Sequence, residues 1–280
     1  MKTKLNFYDL RNYENCAVLK ENFSLGSLIE KKINHITRNS IIIVCGYIGF
    51  GHCKDDVTAA MLNRLNEIAK SREQFIVFIR SNEDEVRFFG NSEFEYSNII
   101  LAQDYSILRT KIGNIICIGG SISYDRTWRV AKYEYILRKD KDRKLDVKCR
   151  YVGKEEKTVL REDILNEIEK EKIKIKFAVS IDCPSISIPR DTIFEDWKKV
   201  DCELENDLKE QYKVIDTIYN FLSDKCETVN WICSKYENEN DGIANEKAEV
   251  IVINSLDDLY LSDIVKNVNK DSNLIDVFHF

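Results

Sequence analysis

Two continuous apolar runs, Ile41-Ile42-Ile43-Val44-Cys45 and Phe75-Ile76-Val77-Phe78-Ile79, constrain this chain more than any other feature. Both are rich in β-branched or aromatic side chains and show no polar alternation, which is the pattern of a strand buried on both faces. Between them, Asp55 and Asp56 open a stretch in which Val57, Met61, Leu65 and Ile68 recur at helical spacing. The two acids fall where the helix dipole favours negative charge. Strand, helix and strand in that order predict a parallel pair joined by a right-handed crossover. The expected fold class is therefore α/β.

The rest of the chain extends the same scheme. Leu28, Ile29, Ile33 and Ile36 predict a helix ahead of the first run. Shorter strands are expected at 98–101, 106–110 and 115–118, with Gly113-Asn114 as a hairpin turn, so the middle of the chain reads as denser in antiparallel structure. A charged helix at 161–170 leads into a strand at 173–179. Leu204, Leu208, Ile215, Ile218 and Leu222 mark the longest helix, over 203–222, and strands at 229–233 and 249–253 close the pattern. With two prolines and ten glycines there is little to break long elements or to make a flexible linker, so one domain is expected over 1–280. The run of mixed charge at 138–150 reads as a solvated loop or exposed helix.

Composition excludes several function classes. No apolar stretch approaches the roughly 18 residues that span a bilayer, and no apolar segment follows the first lysines, so a cytoplasmic protein without a membrane partner is expected. Acidic residues outnumber basic ones, 48 to 42, for a net charge of -6, which indicates no general affinity for nucleic acid. Nine cysteines, an odd number with no C-x-x-C pair, are expected as reduced thiols, several of them small apolar residues inside strands.

Five short blocks occur in order along the chain, the last four at the ends of expected strands. They are Val18-Leu19-Lys20-Glu21-Asn22-Phe23, Gly46-Tyr47-Ile48-Gly49-Phe50-Gly51, Ser81-Asn82-Glu83-Asp84, Ser180-Ile181-Asp182-Cys183-Pro184 and Trp231-Ile232-Cys233-Ser234-Lys235-Tyr236. A sixth, Gly119-Gly120-Ser121-Ile122-Ser123-Tyr124-Asp125-Arg126, is rich in glycine. Their order and content resemble calcineurin-like metallophosphoesterases, in particular a bacterial and phage branch that reads Gly-Gly-Ala-x-Ser-x-Asp-Arg at the sixth block. The resemblance covers about 17–260 and leaves 261–280 as a C-terminal extension. It implies a calcineurin-like phosphoesterase sandwich of two mainly mixed β-sheets flanked by α-helices.

Where that family places metal ligands, this chain has Val18, Lys20, Tyr47, Glu83, Ile181, Ser234 and Tyr236, keeping Asn82. A two-metal phosphoesterase needs carboxylate and imidazole ligands to hold ions about 3.5–4 Å apart. Valine, isoleucine and lysine provide neither, and none of the three histidines falls at a block position. No metal or other cofactor is therefore expected. The resemblance implies a pseudoenzyme, a binding or scaffolding module for a protein partner or a nucleotide-type ligand, with a cleft lined by Lys20, Tyr47, Asn82, Glu83, Ser234 and Tyr236. The alternative is an active phosphomonoesterase or phosphodiesterase with a displaced or single Mn²⁺ or Mg²⁺ site. Its candidate residues are Asp125, Asp182 and His52, with Asp55, Asp56, Glu83 and Asp84 as further oxygens. Arg126 is expected to pin its loop or to contact a ligand phosphate. The glycines at 46, 49 and 51 match no nucleotide-loop spacing, and Cys183 lacks a block-position histidine that would activate it as a nucleophile.

Overall fold

The computed structural model describes residues 5–22, 27–52, 54–139, 157–188, 193–226, 230–234, 243–244, 249–252 and 258–261. Its strands are β1 (Phe7–Asp9), β2 (Asn15–Asn22), β3 (Ser40–Tyr47), β4 (Phe75–Ile79), β5 (Ile99–Ala102), β6 (Ser106–Thr110), β7 (Gly113–Ile118), β8 (Phe177–Ser180), β9 (Asn230–Cys233), β10 (Ile243–Ala244), β11 (Glu249–Val252) and β12 (Asp258–Tyr260). The helices are α1 (Ser27–His35), α2 (Asp55–Ser71), α3 (Arg126–Lys139), α4 (Glu162–Lys170), α5 (Ile193–Val200) and α6 (Leu204–Lys225).

These strands form two mixed sheets, one ordered β12-β2-β3-β4-β5 and the other β1-β6-β7-β8-β9-β11-β10. The period-2 alternation of each strand explains how they stack. On β3, Ile41, Ile43 and Cys45 point into a core shared with Leu108, Ile115, Phe177, Val179 and Ile232 of the other sheet. Ile42 and Val44 point the opposite way, to a second core completed by Ile33, Leu62, Leu65 and Ala69 from α1 and α2. The larger sheet does the same: Ile116, Ala178 and Trp231 meet Ile164, Ile168, Ile215, Ile218 and Leu222 from α4 and α6. The result is two sheets packed face to face with helices on their outer faces, which is why the central strands read as unbroken apolar runs.

Four expectations are corrected in detail. The buried face of α2 is Thr58, Leu62, Leu65, Asn66 and Ala69, whereas Val57 is 47% exposed. The face is displaced because Asn66 is buried to accept the Asn98 N–H and the Ser97 hydroxyl at 2.9 and 3.3 Å, contacts that hydropathy does not register. The hairpin turn is Lys111-Ile112, because Gly113 already pairs with Thr110 inside β7. Only β6 and β7 run antiparallel in the middle of the chain; β7 to β8 and β8 to β9 are parallel. The strand expected from 173 begins at Phe177.

The cysteine reading changes as well. Cys183 and Cys233 form a disulfide, with Cα atoms 5.5 Å apart and a sequence separation of 50. Parallel pairing of β8 with β9 sets Ser180 opposite Cys233 and so carries Cys183 to its partner, which spacing along the chain does not disclose. Cys16, Cys45, Cys117 and Cys226 are buried free thiols and Cys202 is exposed. Among the described residues, no helix is long and apolar enough to cross a membrane. Residues 140–156, most of the mixed-charge run, and 262–280, nearly all of the extension, lie outside the described residues.

Candidate functional site

The parallel strands of both sheets end along one common edge, where the sequence blocks fall. The loop after β3 turns back at Gly49, whose φ of +95° is a left-handed conformation that suits glycine. It is clamped by Asp84, which follows β4 and is fully buried. One Asp84 oxygen accepts the N–H groups of Gly49 and Phe50, both at 2.8 Å, and the other accepts that of Ser81 at 3.1 Å. Burial pushes the Asp84 carboxyl up, against the opposing effect of its hydrogen-bond donors. Replacing Asp84 with alanine is expected to orphan three N–H groups and cost about 3 kcal/mol. Urea unfolding checks this, and an unchanged midpoint would refute the clamp.

His52 joins the same two loops. A carbonyl only accepts, so the His52 Nε2 donates to Glu83 O at 3.0 Å, and in the neutral ring Nδ1 accepts from the Tyr47 hydroxyl at 3.1 Å. Gly119 draws the two sheets together. A Cβ there would lie 2.3 Å from Asp104 Oδ1 and 3.0 Å from the Arg80 carbonyl, so a side chain at this position would force Asp104 to move. The adjoining Gly120 N–H donates to that carbonyl at 2.8 Å. Asn82 Nδ2 then reaches across to Ser123 Oγ at 2.8 Å.

These loops enclose a cavity of about 310 Å³, lined by Gly46, Tyr47, Asn82, Glu83, Ile122, Ser123, Tyr124, Asp125, Arg129, Ile181 and Ser234. Six residues singled out from the sequence therefore meet there: Tyr47, Asn82, Glu83, Asp125, Ile181 and Ser234. Others do not line it. Val18 is buried in the core between the sheets. Lys20 is buried on β2 opposite Cys45, and its charge acts on that thiol, which burial nonetheless pushes up to about 12. Asp182 is buried and accepts the Ser121 hydroxyl at 3.0 Å and the Cys183 N–H at 3.2 Å. Asp55 pairs with Arg87 at the start of α2, and Asp56 accepts the Val57 N–H there. Tyr236 lies outside the described residues.

Below the cavity, Cys45 Sγ donates to the Ser180 carbonyl at 2.9 Å and accepts from Ser234 Oγ at 3.3 Å. Trp231 Nε1 donates to Ser180 Oγ at 2.7 Å. Ile181 and Ser234, flanking the disulfide, are thus held from both sheets.

The sequence reading missed Arg129. Its Nη2 lies 2.7 Å from Glu83 Oε1 and 2.5 Å from Asp125 Oδ1, and its Nη1 donates to Ser123 Oγ at 3.1 Å. An acid four residues ahead of an arginine on α3 is the signal that could have found it, had the helix been recognised. Arg126 faces elsewhere. It binds Asp201 through Nε and Nη2 at 2.6 and 3.1 Å and also Asp207, beside a separate groove of about 520 Å³ between α3 and the start of α6. Among the described residues, no group of three or more His, Cys, Asp and Glu side chains is arranged to hold a metal ion.

No family model matches the chain, and no curated protein matches its sequence.

Proposed function

We propose that this chain is a catalytically degenerate relative of the calcineurin-like metallophosphoesterases, acting as a binding or scaffolding module for a protein or nucleotide-type ligand. One observation carries the reading. Four residues at substituted block positions, Tyr47, Glu83, Ile181 and Ser234, converge with the matching Asn82 and Asp125 on one cavity at the strand ends of two stacked sheets, and both of its lining carboxylates are bonded to an arginine.

The donor set does not suit a pair of divalent ions. Ile181 presents hydrocarbon, Ser234 a neutral hydroxyl, and Tyr47 a phenol engaged with His52. Glu83 and Asp125 are carboxylates that share one guanidinium. With no imidazole among its lining residues and both carboxylates bonded to Arg129, the site does not present the ligand set that a two-metal mechanism requires. What remains suits recognition: two tyrosines, an amide and hydroxyls around a volume near the lower limit for small-molecule pockets, roughly 300 Å³.

The test combines metal analysis with turnover. Protein purified without a histidine tag is expected to carry no stoichiometric metal and to hydrolyse neither an aryl phosphate monoester nor a diester above the protein-free blank, with Mn²⁺ or Mg²⁺ added. Hydrolysis that accompanies bound metal and disappears in Asp125→Asn or Asp182→Asn would replace this reading with the active-enzyme alternative.

A further inference from the structure

On the degenerate-site reading, on which this inference rests, the cavity retains two carboxylates whose charge must be neutralised. Glu83 follows β4 in one sheet and Asp125 follows β7 in the other, so closing the sheets brings two carboxylates to one wall. The Arg129 side chain is 10% exposed and bonds both of them. Its third partner, Ser123, also accepts from Asn82, which ties the guanidinium into the bridge between the sheets. The planar fork of an arginine can satisfy several oxygens at once, whereas a lysine ammonium is a single compact charge.

We propose that Arg129 is the resident cation of this cavity: its guanidinium takes the place between Glu83 and Asp125 from which a divalent ion would have to be coordinated, and so excludes divalent cations from the cavity. Arg129 is thus a specificity-determining residue. Any metal ion approaching the two carboxylates meets a fixed positive charge already bonded to both. Without the guanidinium, the same wall offers two carboxylates, a serine hydroxyl and an amide, which is an oxygen-rich set of the kind that Mn²⁺ or Mg²⁺ accepts.

The experiment is a Mn²⁺ titration followed by thermal melting of the wild type, Arg129→Met, Arg129→Lys and the double variant Glu83→Gln/Arg129→Met, all purified without metal. The wild type and Arg129→Lys are expected to show no Mn²⁺-dependent change, since both keep a cation in place. Arg129→Met is expected to gain a saturable rise in melting temperature of a few degrees, lost again in the double variant. If Arg129→Met does not fold, Arg129→Gln undergoes the same titration. No gain in either variant, or an equal gain in Arg129→Lys, would overturn the role of Arg129 while leaving the degenerate-site reading intact. Saturable, stoichiometric Mn²⁺ binding by the wild type would overturn both.

Discussion

Replacing Arg126 with alanine is expected to lower the unfolding free energy by about 3–5 kcal/mol, the range for removing one partner of a buried charge pair. The Arg126 side chain is 8% exposed and those of Asp201 and Asp207 are 12% and 23% exposed, so its loss leaves two carboxylates poorly solvated. Lys157 also bonds Asp207 at 2.6 Å and would compensate only there. Asp201 would retain the Thr127 hydroxyl at 2.9 Å and the N–H groups of Glu203 and Leu204, both at 3.1 Å, none of which supplies a full positive charge. Urea denaturation of both proteins checks the effect, and midpoints that coincide would show the network to be energetically neutral.

The same network predicts a pH dependence. Hydrogen bonding from Arg126 is the largest cause holding the Asp201 carboxyl down at about 2. For Asp207, burial acts upward, but hydrogen bonds from Lys157 and Arg126 outweigh it and leave the group lowered. A folded-state pKa below the unfolded value means that ionised Asp201 stabilises the fold above about pH 4, and that this contribution disappears as pH falls toward 2. Allowing for solvent screening, about 1 kcal/mol is at stake for Asp201. Between pH 5 and 2 the wild type should lose stability more steeply than Arg126→Ala.

Reducing the Cys183–Cys233 disulfide is the second change with a large expected effect. Closing a loop of 50 residues restricts the unfolded chain, and the loop-entropy estimate for that length is about 4 kcal/mol. A dithiol reductant should therefore shift the wild-type urea midpoint by roughly 1 M, while Cys183→Ala starts low and does not respond. Equal midpoints with and without reductant, or a reductant effect that persists in Cys183→Ala, would refute the bond. The consequence extends to the cavity, because Ile181 and Ser234 flank the two cysteines and the Ser234 N–H bonds the Ile181 carbonyl at 3.3 Å. Wild-type ligand binding should weaken under the same reductant once a ligand is known.

How far the fold could be read in advance depended on burial. β3 and β4 were legible because both of their faces are covered, so every residue in each run is apolar whatever its neighbours. α6 was legible because its buried stripe from Leu204 to Leu222 is apolar apart from Gln211. β2 was not recognised as a strand, because Lys20, Glu21 and Asn22 end it in polar residues and its pairing with β3 lies about 25 positions away along the chain. In α2 the helix was legible but not its inward side, because a buried asparagine and threonine are polar by composition and internal by contact.

The candidate site divides along the same line. The sequence alone determined that polar or glycine-bearing blocks lie at the ends of successive strands, since strand period and loop composition are local properties; the resemblance of those blocks to the calcineurin-like pattern then singled out Tyr47, Asn82, Glu83, Asp125, Ile181 and Ser234. Only the tertiary structure decided what those residues do to one another. Asp125 and Glu83 are 42 positions apart yet share Arg129, and Arg126 found its partners at Asp201 and Asp207 rather than at the adjacent Asp125. Cys183 likewise met Cys233. Charge pairing and disulfide formation depend on distance through space, which the pairing of β8 with β9 sets for the two cysteines and the stacking of the two sheets sets for Glu83 and Asp125.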